Sequence, residues 1–359
     1  MPELIAARAV QGLGGGGLMV LSQAIIADVV PFRERGRYMA LTGSVFIFSS
    51  VAGPLLGGWF ASSIGWRWAF WMNVPVAMLA ITAAITLLRP APATARQRLA
   101  AIGLAPVPLR LLADRDFVLA TVGGPCGAVA MFGTVGYLPT YLQMVHRLTP
   151  AAAGLHMVPV VLGIGTTAFA SGHIMSRTGR YAWMPVAGAV IVAAALALLW
   201  SLRISASPWL ISAVAYLFGA GMGFGLQTLT IVAQNAFPAE VGTATASFAF
   251  FREIGAALGA AAVGGLFTSR LTAFLGARLP ARLSDAHALT PALVAALPAD
   301  LRERVASSYH DALTPVFGGL APMMLAAAVL LLFVRERPAD PAAVPQAAVS
   351  EDLVSSGEG

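Results

Sequence analysis

The 359-residue chain has no lysine, a single cysteine and only 11% charged side chains. An ordinary soluble domain carries about 25% charged residues, so this composition excludes a water-soluble globular enzyme. One cysteine, Cys126, excludes an intrachain disulfide, and no His or Cys grouping has metal-ligand spacing. No apolar block holds paired acids, a Ser/His pair or a metal constellation at workable spacing. Enzymatic, zinc and redox chemistry are therefore not expected, nor is a cofactor. The net charge of +6 and pI near 10.2 would suggest nucleic acid in a soluble protein. Here the 22 arginines are scattered through short loops rather than gathered on one face, and nucleic acid is not an expected partner.

What is abundant is apolar sequence, 58% of residues with a mean hydropathy of +0.79. It falls in blocks of roughly 20, the length that crosses a ~30 Å hydrocarbon core. Nine spans are expected, near 5–27, 37–60, 69–88, 117–142, 154–175, 183–202, 209–232, 242–268 and 315–334. Backbone polar groups in lipid must be satisfied within the segment, and runs this long and unbroken are helices rather than barrel strands. The sequence predicts an all-α polytopic membrane protein of about nine transmembrane helices, with the lipid bilayer as its surroundings.

Alternate loops differ in arginine content. One set holds Arg33, Arg35, Arg37, Arg89, Arg96, Arg98, Arg110, Arg115, Arg177, Arg180, Arg335 and Arg337; the short loops of the other hold Arg67, Arg147 and Arg203. The excess places the first set, and the C-terminus, in the cytoplasm. With an odd number of spans Met1 then lies outside, with no signal-peptide pattern before the first span. The Pro/Ala/Arg-rich stretch 89–115 reads as a cytoplasmic linker. It separates a partial N-terminal bundle of three spans (1–88) from a six-helix bundle (116–335) with an extracytoplasmic loop at 269–312. The tail 336–359 reads as disordered.

Charge inside the spans is sparse. Arg8 is either a coupling or pairing site or an arginine that snorkels to the interface. Gly12, Gly14 and Gly17 satisfy G-x-G-x-x-G, but inside an apolar span, without a preceding strand, they read as a close-packing face and not a dinucleotide site. Gly53-Pro54-Leu55-Leu56-Gly57-Gly58 places a helix bend among small residues, either a hinge-like contact or simple packing. Arg252 and Glu253 point about 100° apart; Glu253 is either a proton carrier in an apolar cavity or half of a structural ion pair. Asp28 reads mainly as a charge fixing helix ends. Polar residues with aromatic neighbours, Gln23, Asn73, Tyr137, Tyr141, Gln143, Gln227, Gln234 and Asn235, either line a mostly apolar pocket or bond between helices. His146 and His156 read as interfacial.

These motifs resemble the major facilitator superfamily, and within it the drug:proton antiporters of the fourteen-span type. Arg8, Gln11, Gly12 and Gly14 to Gly16 look like the family's fourth-helix signature, and Gly53, Pro54, Gly57 and Gly58 like its fifth-helix antiporter signature, with Ser49 where the family usually has glycine. Asp28 with Pro31 to Arg37 resembles the loop between those helices. Gly172 to Arg180, including Arg177 and Gly179, resembles the second-half cytoplasmic loop motif, with Ser176 in place of the usual acid. Phe251 to Gly255 looks like the penultimate helix. The resemblance implies two helical halves rocking about a midplane site in the cell membrane, with small-molecule drugs or other amphipathic compounds exported against protons. It also implies that the family's first three helices are absent, leaving the N-terminal half incomplete. The chain is then a monomeric exporter, one that needs a partner supplying those helices, or a non-transporting membrane remnant or partner subunit.

Overall fold

The structure, a computed structural model, describes residues 67–87, 109–280 and 296–337 continuously, with scattered single positions elsewhere. Within the expected third span lie α1 (Trp68–Trp71) and α2 (Asn73–Leu87). After a 3-10 turn at Leu109–Ala113 come α3 (Arg115–Val135), α4 (Leu138–Val145), α5 (Pro150–Leu155), α6 (Val158–Thr178), α7 (Trp183–Ser201), α8 (Pro208–Ala236), α9 (Val241–Arg278) and α10 (Ala299–Leu331). They form six helical segments long and apolar enough to cross a membrane: α3–α4, α5–α6, α7, α8, α9 and α10.

Local sequence chemistry sets these boundaries. Asp114, Thr149 and Ser207 each sit one residue before a helix and accept backbone N–H bonds from its first turn, which satisfies donors that have no intrahelical partner. Thr149 and Ser207 are each followed by a proline at the first helical position, where a missing N–H costs nothing. α3 gives way to α4 at Gly136–Tyr137, just before Pro139. α6 ends on Gly179, whose φ of +69° is a left-handed conformation that favours glycine, and its N–H bonds back to the Met175 carbonyl at 2.8 Å.

The outer ends of α9 and α10 run beyond the spans expected from hydropathy. α9 continues to Arg278 and α10 begins at Ala299, so most of the expected loop at 269–312 is helix. The added turns are polar on one face and packed on the other: Leu271, Leu275, Val305 and Tyr309 are buried. Arg278 also bridges the helices, donating to Asp311 at 2.7 Å and to Ser307 at 3.3 Å. Hydropathy measures the apolar depth of the bilayer, and these turns rise above it.

Lipid tails are as apolar as Leu, so burial of apolar surface does not drive helices together in a membrane, and close van der Waals contact must do so. Glycines at the crossings supply that closeness. α8 lies against both α6 and α7, and a Cβ placed on Gly219 would stand 2.0 Å from the Val160 carbonyl oxygen of α6. α9 packs on α3 by the same means, with a Cβ on Gly255 falling 2.4 Å from the Cβ of Pro125.

Gly219→Leu should therefore separate α6 from α8 and leave little folded protein in detergent, because it forces backbone apart and exceeds the ~1–3 kcal/mol of ordinary overpacking. Gly225→Ala, with nothing within 4 Å of the added methyl, should leave the melting temperature unchanged. Thermal unfolding of both variants checks the contrast.

Candidate functional site

Within the apolar part of α9, Arg252 and Glu253 pair with each other. Arg252 donates to Glu253 Oε1 through Nη2 at 2.9 Å and Nε at 3.3 Å. Their exposures differ sharply: the Arg252 side chain is 14% exposed and that of Glu253 is 64% exposed. Arg252 thus lies on the inner side of the helix, where it borders a narrow cleft otherwise walled by residues such as Gly124, Gly188, Gly221, Phe248 and Leu331. The carboxylate stands on the side not covered by the six-segment bundle. A cation facing inward and an anion facing outward, 11 and 12 residues into a 38-residue helix, form a neutral pair that one added proton would unbalance.

A second charged cluster ties together the helix ends nearest the C-terminal tail. Asp114 Oδ1 caps α3 by accepting from the N–H groups of Asp116 (2.9 Å) and Phe117 (3.0 Å). Arg337 bonds to Asp114 Oδ2 at 2.6 Å through Nη2, to Asp116 Oδ2 at 2.9 Å through Nε, and to the Ala236 carbonyl at the end of α8 through Nη1 at 3.3 Å. The Arg335 N–H donates to Asp116 Oδ1. The Tyr181 N–H donates to Glu336 Oε1 at 2.9 Å, and the Arg337 N–H to the Tyr181 hydroxyl. Asp116 is only 3% exposed, and a carboxylate so buried requires this degree of pairing. The Arg337 pKa is raised above its already high ordinary value, chiefly by the hydrogen bond to Asp114 and further by the charges of Asp114 and Asp116. In the sequence Arg335 and Arg337 stand out only as loop charges that set orientation, and the two acids carry no pairing signal. The N-cap pattern of Asp114 was the one local signal, since the partners lie more than 200 positions apart.

The loop-motif residues Gly172, Arg177, Gly179 and Arg180 sit at the same end. Gly172 is buried in α6, Gly179 makes the turn, and both arginines are exposed. Of the suggested pocket residues, Tyr137 and Gln227 lie on different elements and neither borders the cleft. Tyr137, at the α3–α4 break, stacks on Phe267 with ring centroids 5.1 Å apart. Gln227 is on α8 nearer the tail side, with its Oε1 buried and unpaired. Asn73 begins α2 and is exposed, while Gln23 lies outside the described residues, as do Arg8, Asp28, Gly53, Pro54, Gly57 and Gly58.

Away from the tail side, Tyr141 and His310 Nδ1 are bonded at 2.9 Å, and His156 Nδ1 meets Ser212 Oγ at 2.7 Å while its ring packs edge-on against Trp209. His310 fastens α10 to α4, and His156 fastens the α5–α6 turn to α8, while the His146 ring packs edge-on against Tyr141. Burial lowers the His146 pKa, and the nearby His310 and His156 lower it further.

Apolar helical segments closed upon one another, with the Arg252–Glu253 pair inside one of the described spans, define a polytopic membrane bundle. The chain belongs to the Major Facilitator Superfamily, whose sequence profile matches residues 1–260. An uncharacterised transporter of this type from Mycobacterium tuberculosis is 32% identical across all of this chain, which spans 59% of that relative's length. The multidrug transporter protein MdtP of Bacillus subtilis is 25% identical over 86% of this chain and 68% of its own. In fold, the chain resembles a bacterial homologue of the human lysosomal transporter Spinster in its inward-facing, occupied conformation. That likeness has a TM-score of 0.55 at 19% identity, covering 88% of this chain and 66% of the other.

Arg337→Ala would leave Asp116 buried without its counter-ion. We expect a loss of about 2–4 kcal/mol, below the upper end for a broken buried pair because the 39% exposed arginine is partly screened; chemical denaturation measures it. A depressed histidine pKa gives stability that is complete above the unfolded value and lost as pH falls through the folded one. Cooling of the melting temperature between about pH 8 and about pH 5 should therefore be smaller in His146→Gln than in the unmodified chain.

Proposed function

We propose that this chain forms the larger part of a secondary active transporter that exports drugs or other amphipathic small molecules in exchange for protons. The observation that carries the reading is the Arg252–Glu253 pair, a partly buried cation beside an exposed carboxylate within a membrane span. Ionisable residues are costly at that depth, and where they persist they mark ion or substrate paths. Glu253 takes and releases the proton, and Arg252 holds the carboxylate in place when it is charged. Arg8 and Asp28 are assigned to coupling or gating, and Gly53, Pro54, Gly57 and Gly58 to the bend that favours exchange over uniport. Gly172, Arg177, Gly179 and Arg180 shape the cytoplasmic loop. The relative MdtP is named a multidrug transporter, which supports drug-like substrates. The arginine bias supports a cytoplasmic C-terminus in a cell-membrane protein that works as a monomer or with a partner supplying further helices.

The test is efflux of a fluorescent amphipathic cation from proteoliposomes under an imposed pH gradient. Glu253→Gln should abolish gradient-driven efflux while leaving insertion intact, and Arg252→Gln should slow it roughly tenfold or more. Arg8→Ala and Pro54→Leu should also abolish export. Unchanged efflux in Glu253→Gln removes the carrier assignment. A wild-type chain that moves nothing, yet restores efflux when joined by a chain carrying the family's first three helices, favours a partner subunit instead.

A further inference from the structure

We propose that the corner formed by Arg115, Arg180 and Arg335 binds the phosphate headgroup of an anionic phospholipid. The three arginines come from separate segments, and one hydrogen-bond network holds those segments together. Arg115 adjoins Asp116, whose Oδ1 accepts the Arg335 N–H; Arg180 adjoins Tyr181, whose N–H donates to Glu336, the neighbour of Arg335. All three arginines are exposed. The acids that would ordinarily answer them are engaged elsewhere, Asp114 and Asp116 with Arg337 and backbone N–H groups, Glu336 with the Tyr181 N–H. Among the described residues none of the three guanidinium groups meets a carboxylate. The internal clamp thus engages the carboxylates at this end in bonds of their own and leaves the three guanidinium groups exposed.

The apolar neighbours fix the depth of the corner and the nature of its occupant. The Arg115 guanidinium carbon lies 5.3 Å from the centroid of the Phe333 ring. Phe333, Leu332 and Leu112 are all exposed, and on a membrane-spanning bundle such side chains meet acyl chains. Cations beside acyl-contacting side chains stand at headgroup depth, where planar guanidinium groups suit phosphate oxygens. A free phosphate ion would use the charge and gain nothing from Phe333, Leu332 or Leu112. A phospholipid uses both. The inference does not rest on the transport reading.

The experiment is native mass spectrometry of the full chain released from nanodiscs that contain phosphatidylglycerol or only phosphatidylcholine. Retention of phosphatidylglycerol by the unmodified chain, reduced roughly tenfold or more in the combined variant Arg115→Gln, Arg180→Gln and Arg335→Gln, is the expected result. Arg147→Gln with Arg203→Gln, in the loops at the other ends of the helices, should retain it fully. If the triple variant does not fold, Arg180→Gln alone, on an exposed turn, should still weaken retention severalfold. Equal retention by the triple variant and the unmodified chain overturns the proposal. So does a several-fold rise in retention on deletion of residues 338–359, which would make the acidic tail the occupant of the corner. Inorganic phosphate should not displace the lipid, and displacement would assign the site to a free anion.

Discussion

The grip of Arg337 on Asp114 and Asp116 is the constraint on which the arrangement of the helix ends depends. It joins the residues that start α3 to those that follow α10, and with its bonds to Ala236 and Tyr181 ties the ends of α3, α8 and α10 and the α6–α7 turn together. The same guanidinium takes the Ala236 carbonyl, one of those left without a partner at the C-terminus of α8. The backbone of Arg337 reaches the turn between α6 and α7 through Tyr181. Without this cation, a nearly fully buried carboxylate and a helix terminus would need water at a place where packed helices exclude it. Asp114 serves two partners at once, since one oxygen caps the helix while the other meets Arg337.

Between the clamped ends, the spans are held by contact rather than by exclusion of water. α8 is pressed from two sides because glycines stand at its crossings with α6 and α7, and hydrogen bonds cross where the backbones come close. Thr167 on α6 donates to the Ala220 carbonyl of α8 at 2.8 Å, and Gln234 joins α8 to α9 by donating to Thr245 at 3.0 Å. On the other side of the bundle Arg278, Asp311, Tyr141 and His310 do for α4, α9 and α10 what Arg337 does at the tail side. Dense packing in the middle with polar fasteners at both ends makes the bundle one stiff body, which suits a fold in which helical halves move against each other.

Apolar blocks of membrane length make the six spans legible in sequence. The helical turns within 269–312 are not legible in sequence for a physical reason: hydropathy marks the apolar stretch alone, while α9 and α10 continue past it on Leu275, Val305 and an Arg278–Asp311 pair that spacing cannot reveal. The tail-side clamp was hidden by distance along the chain, because no local pattern connects Asp116 with Arg337. Arg252 and Glu253 were visible as charges in an apolar run, but whether they served each other or a third residue was left open. The structure pairs them, and it separates Tyr137 and Gln227, whose polarity in a span had suggested one shared pocket.

The geometry of that pair limits how a proton can act on it. Arg252 has its stem packed inward, and both of its bonds to Glu253 end on the same oxygen, Oε1. Protonation of the carboxylate removes the charge that balances a guanidinium only 14% exposed, and an unbalanced cation in a low-dielectric surround is costly. Arg252 must then find another acceptor at the cleft it borders or move toward the exposed side of α9. Either response changes the wall of the cleft near Phe248 and Gly124, where α9 meets α3. If Glu253 is the proton carrier proposed above, a proton on the exposed side of the helix would act on the helix contact on the inner side through the single side chain of Arg252.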